Sequence, residues 1–151
     1  MILGISYRVQ RTYRMQRIYR VRSTYRKTTA LAEDHFMDNI SLRDLAVQFV
    51  VDIDQLCLYI EGRSVFKNQL LRAASSIGAN IHEAKYGQSR ADFISKFEIA
   101  LKECYETEYW LEILFKVNAI SQHSYKTLQG QAGTIRRKLI ASITTAKGVH
   151  P

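Results

Sequence analysis

From Ser41 onward the chain alternates long apolar stretches of helical period with short polar breaks, and this alternation restricts it to few folds. Ser41 is followed three residues later by Asp44, a pattern close to a capping box, in which the hydroxyl accepts a free N–H of the first turn. Leu42, Leu45, Ala46, Phe49, Ile53, Leu56, Cys57 and Ile60 then recur at i, i+3, i+4, i+7, the spacing that lines one face of a helix. Gly62 is expected to stop this helix. Ser64 is expected to cap a second, with Phe66, Leu70, Ala73, Ile77, Ile81 and Ala84 on one face and Gly87 at its end. Ser89 with Asp92 repeats the capping pattern. The third and longest helix carries Phe93, Phe97, Ala100, Leu101, Cys104, Leu111 and Phe115 and runs to about Val117 or Asn118. Ser121 opens a fourth, with Tyr125, Leu128, Ala132, Ile135, Leu139, Ile143 and Ala146 in register. Gly130 and Gly133 weaken its middle by up to about 1 kcal/mol each relative to Ala, and such a pair reads as the mark of a close neighbouring backbone.

Connections of a few residues force successive helices to lie antiparallel. The expected fold is all-α, an antiparallel up-down-up-down four-helix bundle over residues 37–151, preceded by a non-globular extension over residues 1–36. No alternating β-branched run competes with this beyond Met37.

Composition removes several classes. A length of 151 residues allows one domain with a real core. One Pro, the last residue, and 7 Gly exclude collagen-like, Pro-rich and Gly/Ser low-complexity chains. No charge-free stretch approaches the ~18 residues of a transmembrane helix, and Met1–Gly4 is too short for a secretory apolar region. Cys57 and Cys104 each fall inside an apolar helical pattern. Their expected state is buried free thiols in a reducing cytoplasm, with a Cys57–Cys104 bridge as the alternative.

The net charge of +8 is unevenly spread. Residues 1–36 hold eight Lys/Arg against two acids, Glu33 and Asp34, and carry +6; residues 37–151 hold fourteen against twelve and carry +2. The basic segment is repetitive: Tyr-Arg recurs at 7–8, 13–14, 19–20 and 25–26, a period of six. Six residues advance a helix by about 240°, so no single helical face forms. On a strand, Tyr7, Tyr13, Tyr19 and Tyr25 would share a face. Three readings fit. Arginine could neutralise phosphate while tyrosine stacks on unpaired bases; the segment could be a solvated, disordered tail; or translation could begin at Met37 and leave the repeat outside the native protein.

Catalytic chemistry has no support. A di-iron carboxylate bundle needs Glu-x-x-His on two helices, and none occurs. His35, His82, His123 and His150 have no zinc-like spacing. No phosphate-binding glycine loop is present, and neither cysteine has a base nearby in sequence. No metal, cofactor or enzymatic activity is expected.

Other residues point to contacts. Arg72, Ser76, Asn80 and Glu83 form a polar stripe on the second helix. Glu108 falls within the apolar arc of the third, where a carboxylate is costly unless paired; Arg72 or Asn80 is its expected partner. A second apolar stripe on the third helix, Ile94, Leu101, Tyr105 and Tyr109 with Trp110 nearby, exceeds what one core needs and reads as an oligomer interface at Tyr105, Tyr109 and Trp110. Arg136, Arg137 and Lys138 cluster on the fourth helix, while Arg63, Lys67, Lys85 and Arg90 flank the ends of the second. These seven are the candidate phosphate contacts, which an oligomer would concentrate.

Two segments carry a family resemblance. Arg72-Ala-Ala-Ser-Ser-Ile-Gly-Ala-Asn-Ile-His-Glu83 resembles the RAA-x-SI-x-AN-I-x-E signature of the bacterial 23S rRNA intervening-sequence proteins. Phe97-Glu-Ile-Ala-Leu-Lys-Glu-Cys-Tyr-Glu-Thr-Glu-Tyr-Trp-Leu111 is similar to that family's third helix. Family members often carry small residues where His82 and Ala84 stand. The resemblance covers about residues 38–147 and implies a small antiparallel four-helix bundle without established enzymatic activity. It extends to the accessory variability determinant of diversity-generating retroelements, a basic pentamer that binds nucleic acid and associates with a reverse transcriptase. A homo-oligomer comparable to that pentamer and an RNA or reverse-transcriptase-type ribonucleoprotein partner are therefore what the resemblance implies. The alternative is a protein-interaction scaffold without a nucleic-acid ligand.

Overall fold

A computed structural model describes residues 40–148. The Tyr-Arg repeat, Met37, His35 and His150 lie outside the described residues. Within them the chain forms four helices: α1 (Leu42–Cys57), α2 (Ser64–Ala84), α3 (Arg90–Lys116) and α4 (Gln122–Lys147). Each packs on two others, α1 on α2 and α4, and α3 on α2 and α4. Short connections and this closed ring of contacts make the expected up-down-up-down bundle. No helix among the described residues is long and apolar enough to cross a membrane.

Three of the four expected serine caps form. Ser41, Ser89 and Ser121 each accept, through the side chain, the backbone N–H three residues on, at Asp44, Asp92 and Ser124. Asp44 and Asp92 also set negative charge against the positive ends of α1 and α3. The start of α2 differs. Its N-cap is Arg63, in left-handed backbone at φ 54° and with no side-chain cap, and Ser64 is already helical. The reason lies in the turn before it. α1 ends at Cys57 rather than near Gly62, and Gly62 (φ 63°) followed by Arg63 reverses the chain. Ile60 is buried from this connection rather than from a helix, and Lys67 Nζ donates to its carbonyl at 3.1 Å. Gly148, at φ 72°, closes α4 in the left-handed conformation that favours glycine.

The core is what the helical period predicts, with additions. Leu70, Ala73 and Ile77 from α2, Ala100, Cys104 and Leu111 from α3, and Ala132 and Leu139 from α4 are fully excluded from solvent, with Phe49 and Ile53 from α1. Thr107 joins them although polar, because its hydroxyl donates to the Glu103 carbonyl one turn back at 2.8 Å. Burial pushes the Cys104 thiol up to about 12, so it stays protonated; Cys57 is only half-buried, and both are free. Phe115 and Tyr125 stack at 4.6 Å across the α3–α4 turn.

The glycine expectation is overturned. A Cβ at Gly130 would meet nothing within 4 Å, and one at Gly133 only the Arg137 guanidinium at 3.5 Å. The close approach is elsewhere, at Gly78, whose added Cβ would lie 3.9 Å from Ala46 Cβ across the α1–α2 seam. Gly87 is the crowded one: a Cβ there would sit 3.2 Å from the Ala84 carbonyl oxygen and 3.3 Å from Asp92 Oδ2. Gly130→Ala should therefore raise stability by about 0.5–1 kcal/mol through helix propensity, and Gly87→Ala should lower it. Chemical denaturation of the two variants checks both signs.

Candidate nucleic-acid interface

The candidate cations divide according to what the fold already asks of them. Successive helical residues point about 100° apart, so Arg136, Arg137 and Lys138 do not form one patch. Arg136 turns to α3. Its Nε donates to Glu108 Oε1 at 3.1 Å and its guanidinium lies 5.6 Å from the centre of the Tyr105 ring. The Glu108 hydrogen bond and charge hold the Arg136 pKa above its ordinary value. Lys138 is half-buried and has a partner. Arg137 is exposed and, among the described residues, donates only to the hydroxyl of Thr134, one turn back on its own helix.

The cations around α2 sort similarly. Lys67 holds the Ile60 carbonyl. Arg90 Nε donates to the Ala146 carbonyl, tying the start of α3 to the end of α4, where Lys147 and Glu98 also pair at 2.7 Å. Arg63 and Lys85 are exposed and make no ion pair among the described residues. They stand at opposite ends of a 21-residue helix, about 30 Å apart at 1.5 Å per residue. The seven candidates thus reduce to three uncommitted ones, Arg63, Lys85 and Arg137, which do not converge within one copy.

The polar network also differs from expectation. Glu108 does not meet Arg72 or Asn80; it meets Arg136 on α4. Arg72 instead pairs with Glu106 on α3, which also accepts the Trp110 indole N–H at 3.2 Å. Glu83 pairs with Lys96 at 2.6 Å and raises its pKa. Among the described residues Asn80 bonds only within α2, to the Ser76 carbonyl and hydroxyl. Contacts between α2 and α3 therefore exist, but through Glu106 and Lys96, neither of which the apolar period singles out. The spacing of Glu106 and Trp110, four residues apart on one face, is the signal that marks the first.

On the outer face of α3, Tyr105 is 50% and Tyr109 54% exposed, while Ile94 and Leu101 are half-buried. Trp110 adjoins this face, its ring 5.0 Å from that of Tyr109 at an interplanar angle of 69°. It is half-buried and turned to α2, its ring 5.9 Å from that of Phe66. Among the described residues no group of three or more His, Cys, Asp or Glu side chains is placed to hold a metal ion.

Comparison with known proteins bears on this arrangement. The family model of the 23S rRNA-intervening sequence protein matches residues 38–141. The chain belongs to this family. The match spans α1 through most of α4 and omits the Tyr-Arg repeat. The chain is also similar to a solved structure, a protein of unknown function from the S23 ribosomal protein family of Bacteroides thetaiotaomicron. The two are 42% identical with a TM-score of 0.65, over 68% of this chain and 98% of the other. No curated protein matches.

The Glu108–Arg136 assignment has a direct check in a double-mutant cycle of Glu108→Gln and Arg136→Gln, read by denaturant unfolding. The two side chains are 21% and 33% exposed, so a coupling of about 0.5–1 kcal/mol is expected. The corresponding cycle between Arg72 and Glu108 should give a coupling near zero.

Proposed function

We propose that this protein is a non-enzymatic, self-associating bundle that holds RNA or a ribonucleoprotein through the bundle rather than through the Tyr-Arg repeat. One observation carries this: the family match to an rRNA-intervening sequence protein falls on the helices and leaves out residues 1–36. Arg63, Lys85 and Arg137 support it as exposed cations that the fold does not occupy. Each copy offers few phosphate contacts, and at +2 the bundle alone attracts polyanions weakly. Association of several copies multiplies both, and the exposed Tyr105/Tyr109 face is the surface assigned to that association. A pentamer and a reverse-transcriptase-type partner are the forms the resemblance favours.

The same tyrosine face supports a second reading, a protein scaffold with no nucleic-acid ligand. A salt titration of RNA binding separates them, made on the full chain and on residues 37–151. For three phosphates neutralised per copy, log affinity should fall against log salt with a slope of about −2, and the shorter chain should retain it. Binding by the full chain alone would assign the activity to the repeat; no binding by the shorter chain at low salt would leave the bundle as a scaffold.

A further inference from the structure

The end of α2 carries an aromatic pair that nothing in the bundle uses. Tyr86 is 75% exposed, the most exposed large apolar side chain among the described residues. His82, one turn earlier and also exposed, meets it edge to face, ring centres 5.4 Å apart and planes at 68°. Exposure here does not mean looseness. The Tyr86 N–H donates to the Glu83 carbonyl at 2.9 Å and the Gly87 N–H to that of Ala84 at 3.2 Å. The turn that follows is tight: a Cβ at Gly87 would press on the Ala84 carbonyl and on Asp92. The ring is therefore presented from an anchored backbone, with His82 against it and three quarters of the residue open to solvent.

The charge around it is suited to an anion. Lys85 is exposed beside the pair and makes no ion pair among the described residues. The nearby carboxylates are occupied: Glu83 by Lys96, and Asp92 by the backbone N–H of Gln88. The last carbonyls of α2 accept the N–H groups of Lys85, Tyr86 and Gly87, which blunts the negative end of the helix. A lone ring among Lys85, His82 and Gln88 is also unlike a protein interface, whose centre is a continuous apolar patch.

We infer that Tyr86, backed by His82 and flanked by Lys85, is a stacking platform for an unpaired base of single-stranded RNA, with Lys85 on the adjoining phosphate. This deepens the RNA reading above and rests on it. A duplex keeps its base faces covered, whereas a single strand can lay one on an exposed ring. The platform belongs to the helical bundle.

The test uses the full chain and a single-stranded oligouridylate carrying 5-iodouridine, which on irradiation joins covalently to a stacked aromatic ring. Mass spectrometry of tryptic peptides then locates the adduct. It is expected on the peptide from Tyr86 to Arg90, kept in Tyr86→Phe and lost in Tyr86→Ala. Affinity in Tyr86→Ala should fall about tenfold with an unchanged unfolding midpoint and oligomer mass, and Lys85→Gln should reduce the salt slope by about 0.7. Adducts confined to residues 1–36, full affinity in Tyr86→Ala, or binding of duplexes but not single strands would overturn the platform while leaving RNA association standing. A change of oligomer mass in Tyr86→Ala would overturn it in favour of a contact between copies. Failure of the unmutated chain to bind any RNA at low salt would instead remove the RNA reading itself.

Discussion

The structure depends on burying one apolar face from each of four helices around a common axis. Leu70, Ile77, Leu111 and Leu139 lose all contact with water there, and the hydrophobic gain from such burial, about 25 cal/mol per Å², is the dominant favourable term. Once the ring of helices closes, the polar residues beside each seam are drawn into cross-helix pairs. Arg72 meets Glu106, Lys96 meets Glu83, and Arg136 meets Glu108. The ends are tied by cations on carbonyls, Lys67 on Ile60 and Arg90 on Ala146. Function has to be sought among the side chains this closure leaves unoccupied, which are far fewer than a count of Lys and Arg implies.

That constraint alters what the charge of the chain means. A net +8 is the familiar sign of a polyanion binder. Most of it resides in a repeat that the family match omits, and most of the bundle's candidate cations are engaged in the fold. Of those candidates there remain Arg63 and Lys85 at opposite ends of α2, and Arg137 on α4, beside the exposed Lys102, Lys116 and Lys126. Such an arrangement fits a protein that holds nucleic acid through several copies, or beside an aromatic ring, rather than through one dense basic surface.

The sequence made local features legible and left lateral ones hidden. A cap such as Ser89 joins residues three apart, so spacing alone reveals it. Ser64 has the same residue type but fails, because a hydroxyl caps only when the chain enters extended, and here Gly62 and Arg63 enter left-handed. The buried faces followed from the period. The partner of Glu108 did not, because its position on the arc shows that it approaches a seam without showing which one. α3 borders both α2 and α4, and packing turns Glu108 to α4. Thr107 was invisible as core because its hydroxyl is satisfied by its own helix. Tyr86 lies just past the last turn of α2, where no helical period applies.

The proposed RNA association implies a division of labour between neighbouring cations, one holding the bundle and one free for phosphate. It is tested most directly by measuring thermal stability and the salt dependence of RNA affinity for Arg136→Gln and Arg137→Gln side by side. The expected result is a lower melting temperature with an unchanged salt slope for Arg136→Gln. For Arg137→Gln an unchanged melting temperature is expected, with a slope reduced by about 0.7. The opposite assignment, or two variants that behave alike, would contradict it.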